Sequence, residues 1–173
     1  MEIILKKLDT NDRVYFFKWI RDKSVIKYSL SIFQRLDTDF KISQWFDTVL
    51  QDNNSLSLGI YDKNKKCLIG YTGISSLNKI NKSGEYFIFI GDKSYHGKGI
   101  GTFVTKEIIK IGFSELNLNR IMLTVSENNI GALNAYKKAG FIYEGCMRQA
   151  FYREGEYSNK IIMGLLKQDI SNL

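Results

Sequence analysis

Between Ser55 and Ile90 apolar residues alternate with others, and outside that stretch they tend to recur every three or four positions. Alternation marks half-buried strands and the longer spacing marks helices, so the middle of the chain is committed to sheet. Ser55–Tyr61 reads as a strand, Asp62–Lys66 as a polar turn and Cys67–Leu77 as a second strand. A polar loop at 78–83 leads into Glu85–Ile90, with Tyr86, Ile88 and Ile90 on one face and Glu85, Phe87 and Phe89 on the other. Connections this short make the three an antiparallel meander.

Around this meander the pattern predicts a strand over 2–8 and a helix over about 12–22, capped by Thr10 or Asn11, with Val14, Phe17 and Ile20 facing inward. Residues 23–36 are irregular. A second helix over about 38–52 follows a Thr38/Asp39 cap and carries Ile42, Trp45, Phe46 and Val49 as its stripe. Beyond Gly91 come a glycine loop, a helix over about 99–114 (Ile100, Phe103, Val104, Ile108, Ile111) and a strand at Arg120–Val125. A short helix over Asn129–Ala139 and a hairpin of 141–150 with 156–166 follow. The strand–helix–strand unit from 85 to 125 implies a right-handed crossover and a parallel pair. The expected fold is α/β: a mixed, mostly antiparallel sheet flanked by helices, as one domain over 1–173.

Net charge is +7, but the first three fifty-residue blocks carry excesses of +2, +3 and +2 and the remainder none. No basic arm or stripe suited to a nucleic-acid backbone emerges, although a small polyanionic ligand suits the balance. One His and two Cys cannot make a four-ligand zinc site, so no metal is expected. Cys67 and Cys146 read as reduced and buried. The N-terminal apolar run breaks after three residues, and no stretch approaches the roughly 18 apolar residues of a membrane helix. A cytoplasmic chain without membrane contact is expected.

Two segments carry chemistry. In Tyr95-His96-Gly97-Lys98-Gly99-Ile100-Gly101-Thr102, three alternate glycines precede a helix whose free N–H groups and dipole attract anions, and Lys98 adds charge. The spacing is neither a Walker A loop nor a dinucleotide fingerprint, and a plain turn with a helix cap fits it equally. In the second segment, Asn129, Ala132 and Tyr136 share one helix face, with Gly140 placed to end the helix. Ala132 leaves room for a ligand. Tyr136 also suits a half-buried packing role with its hydroxyl at the surface.

The loop resembles the Q/R-x-x-G-x-G/A motif of the GNAT acetyltransferase superfamily, and Asn129–Phe141 is similar to its N-x-x-A-x-x-x-Y-x-K-x-G-F segment. The similarity spans nearly the whole chain. It is strongest over 67–166 and nearest to the ribosomal-protein N-terminal and spermidine acetyltransferase branch, including Gly145-x-x-Arg148 and Tyr152–Tyr157. It implies a GNAT-like acyl-CoA N-acyltransferase fold and direct transfer from acetyl-CoA to a primary amine. The cofactor would meet His96, Gly97, Lys98, Gly99, Ile100, Gly101 and Thr102, then Asn129, Ala132 and Tyr136, with amides near Ile88 and Ile90 holding the oxyanion. Tyr136 would protonate the leaving thiolate and Glu85 would act as base, although Glu85 also suits a surface strand edge. His96 stands where the motif has Gln or Arg.

The resemblance places the acceptor among Trp19, Tyr28, Phe33, Trp45, Tyr152 and Arg153, residues that also suit a plain core. Lys27 and Arg35, with no acid over 24–36, favour an amine bearing phosphate or carboxylate, such as a nucleotide-linked amino sugar. A peptide N-terminus or a polyamine is the alternative acceptor, and a homodimer is left open. Two rival classes stay open, a non-catalytic acetyl-CoA-binding protein and a nucleic-acid binder.

Overall fold

The computed structural model describes residues 2–170. Its sheet has seven strands in the order β1-β2-β3-β4-β5-β7-β6. They are β1 (Ile3–Lys6), β2 (Leu56–Asp62), β3 (Cys67–Asn78), β4 (Ser83–Ile90), β5 (Arg120–Ser126), β6 (Ile142–Arg153) and β7 (Glu156–Leu166). Every neighbouring pair is antiparallel except β4 with β5, so the crossover and the meander both form as the pattern predicts. This is a mixed α/β fold, mostly antiparallel, with helices on both faces.

The helices are α1 (Arg13–Arg21), α2 (Lys23–Ile26), α3 (Asp39–Gln51), α4 (Ile100–Ser114), α5 (Ile130–Lys138) and α6 (Lys167–Ile170). α1 starts one step later than expected. The Asp9 carboxylate accepts from the Asn11 amide, and Asp9 and Asp12 form a capping box that drives a 3-10 turn at Thr10–Asp12. That entry turns the helix so that Phe16, Trp19 and Ile20 are buried while Val14 is 61% exposed, correcting the expected face. Thr38 caps α3 by accepting from the Lys41 amide at 3.3 Å, as the sequence indicates.

Each face of the sheet has its own core. On one, Phe16, Phe33, Ile42 and Phe46 from α1, α3 and the turn between them meet Tyr71 and Phe89. Phe33 stands edge-on to Phe89 at 4.9 Å, and Phe16 lies 5.1 Å from Phe46. On the other, Val104 and Ile108 of α4 meet Ile60, Ile74, Ile121 and Leu123. Phe103, expected on that stripe, is exposed, and Ile109 and Phe113 take the inward positions instead. Burying each such side chain stabilises the fold by about 1.5–3 kcal/mol. Cys67 is half-buried and Cys146 exposed, correcting the expected burial of both; neither is bridged. Among the described residues no helix is long and apolar enough to cross a membrane.

Candidate active site

The parallel pairing of β4 with β5 is short: Ser83, Gly84 and Glu85 face Arg120, Ile121 and Met122, and beyond that the strands diverge. A cleft of about 800 Å³ opens there. Its walls are the end of β4 from Glu85 to Ile90, Thr124–Ser126 of β5, the glycine loop and the exposed side of α5. Parallel strands that separate leave backbone N–H and C=O groups free to meet a ligand instead of each other.

The glycine loop forms one end. Gly97 and Gly99 have φ of 71° and 77°, the left-handed region that only glycine adopts at no cost, so both are required by the turn itself. A Cβ on either would meet no protein atom within 4 Å. Gly101 differs: it lies in the first turn of α4, and a Cβ there would touch only the Ala135 methyl at 3.9 Å. The turn is braced from both sides. Thr105 donates to the Gly101 carbonyl at 2.6 Å and is 3.0 Å from the Tyr86 hydroxyl, joining α4 to β4. At the mouth, His96 Nε2 is 2.9 Å from the Ile90 carbonyl. Lys98 lies over the Tyr95 ring at 5.6 Å, and Tyr95 in turn donates to Asp62 at 2.8 Å.

α5 forms the adjacent wall. The Asn129 side chain accepts from the Ala132 amide at 3.2 Å, the cap that the sequence suggests, and both residues line the cleft. Tyr136 is 8% exposed and edge-on to Tyr86. It is more buried than the half-exposed packing role would require, yet it still lines the cleft. Burial pushes its phenol well above the ordinary range, so it stays protonated wherever the chain is folded at ordinary pH.

Glu85 also lines the cleft, from the other side. By strand alternation it shares a face with Phe87 and Phe89, against α1 and α3, whereas Tyr86 turns toward α4 and α5. The two ionisable groups thus stand on opposite faces of β4, and the gap between β4 and β5 joins them. Among the described residues no group of three metal-ligating side chains is gathered.

The acceptor end departs from the expected set. Tyr28 lines the cleft. Phe33, 1% exposed, is sealed into the aromatic core, and Trp45 packs on Phe33, Phe16 and Tyr71. Trp19 is buried against Gly91, where a Cβ would come within 2.0 Å of its ring. These three pack in the aromatic core and lie outside the cleft lining. Tyr152 lies outside the lining, its ring tilted against Tyr157 at 4.7 Å. Arg153 is also outside it, with its guanidinium 4.2 Å over Phe151 and 3.5 Å from Ser31, both lining residues. Leu30, Ser31, Tyr71, Phe87, Phe151 and Lys160 also line the cleft and were not among the expected site residues. Phe87 left a signal in the strand face it shares with Glu85, and Phe151 as an aromatic between the expected strands of the closing hairpin.

Comparison with known proteins agrees with this geometry. The Acetyltransferase (GNAT) domain family matches residues 2–142. The spermidine N(1)-acetyltransferase of Escherichia coli K12 is 27% identical over 159 residues, 92% of this chain and 83% of that protein. A putative ribosomal N-acetyltransferase of Bacillus subtilis is 28% identical over 118 residues, 68% of this chain and 63% of that one. The crystal structure of a Vibrio cholerae spermidine N-acetyltransferase with CoA and spermine superposes with a TM-score of 0.86 at 23% identity, covering 98% of both chains. The chain belongs to the GNAT acetyltransferase family and is an acetyl-CoA-dependent N-acetyltransferase.

Proposed function

We propose that the whole chain is a single catalytic domain that acetylates the primary amine of a small molecule, with the reaction centred where β4 and β5 part. The observation that carries this is the pair Glu85 and Tyr136, lining one cleft from opposite faces of β4. The acetyl donor enters along the glycine loop and α5. The amides around Gly97, Gly99 and Gly101, beside Lys98, would hold its pyrophosphate, and Asn129 and Ala132 would flank its arm on the side of Tyr136. Amides near Ile88–Ile90 face the carbonyl oxygen and hold the charge that develops there.

An alkyl amine has a pKa of about 10, so at pH 7 roughly one molecule in a few thousand is nucleophilic. Glu85, directly or through water, takes the amine proton as the nitrogen attacks the acetyl carbon. The C–S bond breaks as the tetrahedral centre collapses, and Tyr136 gives its proton to the leaving sulfur. Burial keeps that proton in place until then.

For the acceptor, Glu85 is the one carboxylate among the residues lining the cleft, while Lys160 lines it and Arg153 stands behind Phe151 and Ser31. A single acid with cations nearby suits an amine that also bears an anion, such as a nucleotide-linked amino sugar. The named relatives favour a polyamine as the second reading. The test is acetyl-CoA-dependent thiol release against amino-sugar nucleotides, spermidine and spermine, peptide N-termini and aminoglycosides. Preference for the sugar nucleotides supports the first acceptor, and preference for spermidine replaces it. Saturable acetyl-CoA binding without thiol release on any amine sinks the catalytic reading.

A further inference from the structure

We propose that His96 is a positioning residue, whose Nε2–H bond to the Ile90 carbonyl fixes the glycine loop against the open end of β4 so that one acetyl-CoA can touch both. The inference rests on the cleft being the acetyl-CoA site. Ile90 ends β4, and six residues later His96 immediately precedes Gly97. The segment between them is tied back at each step. Gly91 and Asp92 donate to the Ile69 carbonyl at 3.0 and 3.2 Å, Asp92 accepts from the Ser94 amide at 2.9 Å, and Tyr95 donates to Asp62. His96 makes the last of these ties, at 2.9 Å, and after it come two glycines with left-handed backbones. Without it the near side of the loop would follow the strand end through the Tyr95 turn, while the far side stays tied to β4 through Thr105 and Tyr86.

The chemistry of the bond defines what can replace it. A carbonyl only accepts, so the imidazole must donate, and through Nε2. Nε2 is the fourth atom out from the backbone, the same reach as the amide nitrogen of glutamine; the amide nitrogen of asparagine is only third. Gln and Arg, the residues the motif otherwise has at this position, each carry a donor at that depth. The bond also commits Nε2 to holding backbone, at the glycine-loop end of the cleft.

The test uses three substitutions and one spectrum of the intact chain. His96→Gln should keep KM for acetyl-CoA within about two-fold of wild type. His96→Asn and His96→Ala should raise it about five- to ten-fold, the worth of one hydrogen bond, with kcat and acceptor KM little changed. Melting temperatures measured alongside show whether each variant is folded. As the only histidine, His96 also gives a single imidazole signal, and long-range proton–nitrogen correlation without ligand should find the Nε2–H form. An Nδ1–H ring, an asparagine variant as good as glutamine, or a glutamine variant as poor as alanine overturns the proposal. If wild type binds no acetyl-CoA, the assignment of the cleft fails instead, and the spectrum still decides whether the bond exists.

Discussion

The rings of Tyr86 and Tyr136 stand perpendicular, centroids 5.9 Å apart, so that a residue of the strand and a residue of α5 hold each other at the cleft wall. Neither phenol has a charged partner: the Tyr86 hydroxyl meets Thr105, and burial raises both acidities' pKa values above the ordinary phenol range. Tyr136→Phe keeps the ring and its packing and deletes only the proton. Turnover should fall ten-fold or more with acetyl-CoA affinity nearly unchanged, measured by steady-state kinetics and calorimetry. Unchanged turnover removes Tyr136 as the acid.

Glu85→Gln preserves shape and removes the base. Turnover should drop by ten-fold or more with the KM for acetyl-CoA little changed, measured by steady-state kinetics. Unchanged turnover excludes Glu85 as the base.

The glycines of the loop are not equivalent. Gly99→Ala forces a Cβ into φ of 77°, which should lower stability by about 1 kcal/mol and weaken acetyl-CoA binding through the displaced loop. Gly101→Ala lies in ordinary helix with room beside Ala135, so thermal unfolding should show stability higher by about 0.5–1 kcal/mol. Equal effects at the two positions would contradict the geometry.

Phe33 and Tyr28 separate core from cleft. Phe33→Ala should cost about 3–5 kcal/mol of stability by urea unfolding. Tyr28→Ala, at a 37% exposed position, should instead raise the acceptor KM with little loss of stability.

Tyr61, Tyr71, Tyr86, Tyr95 and Tyr136 all have raised phenol pKa values, with burial as the leading cause, and Tyr71 is pushed up to about 12. Their folded values exceed the unfolded value near 10, so the unfolded chain loses these protons first. Their contribution is intact below about pH 10 and is lost as pH rises through the folded values. The urea midpoint should therefore be flat from pH 8 to 9 and fall steeply by pH 11.

Much of this fold is written locally. Alternation from Ser55 to Ile90 and the Thr38 and Asn129 caps depend on neighbours in the chain, and each forms where its pattern indicates. Val14 and Phe103 misled because spacing does not say how wide the covered face of a helix is: Ile20, Ile100, Val104 and Ile108 are buried as the pattern indicates, and only these flanking positions stay exposed. Phe33 and Tyr28 are aromatics of one irregular segment, and nothing local states which of them turns inward, whereas Trp45 already stood on the stripe of α3. The glycine loop and Tyr136 were legible as candidates because their spacing is local. That Glu85 and Tyr136 share a cleft was not, since it depends on where two strands stop pairing.

That stopping point has a mechanical consequence. Four strands, β1 to β4, form one raft and three, β5 to β7, another, stitched by three opposed residues at one end and unzipped at the other. A cofactor lying in the open seam acts as the missing rungs between the rafts, so occupancy and stiffness rise together. Amides along the far halves of β4 and β5 should be where hydrogen exchange slows most when acetyl-CoA is added.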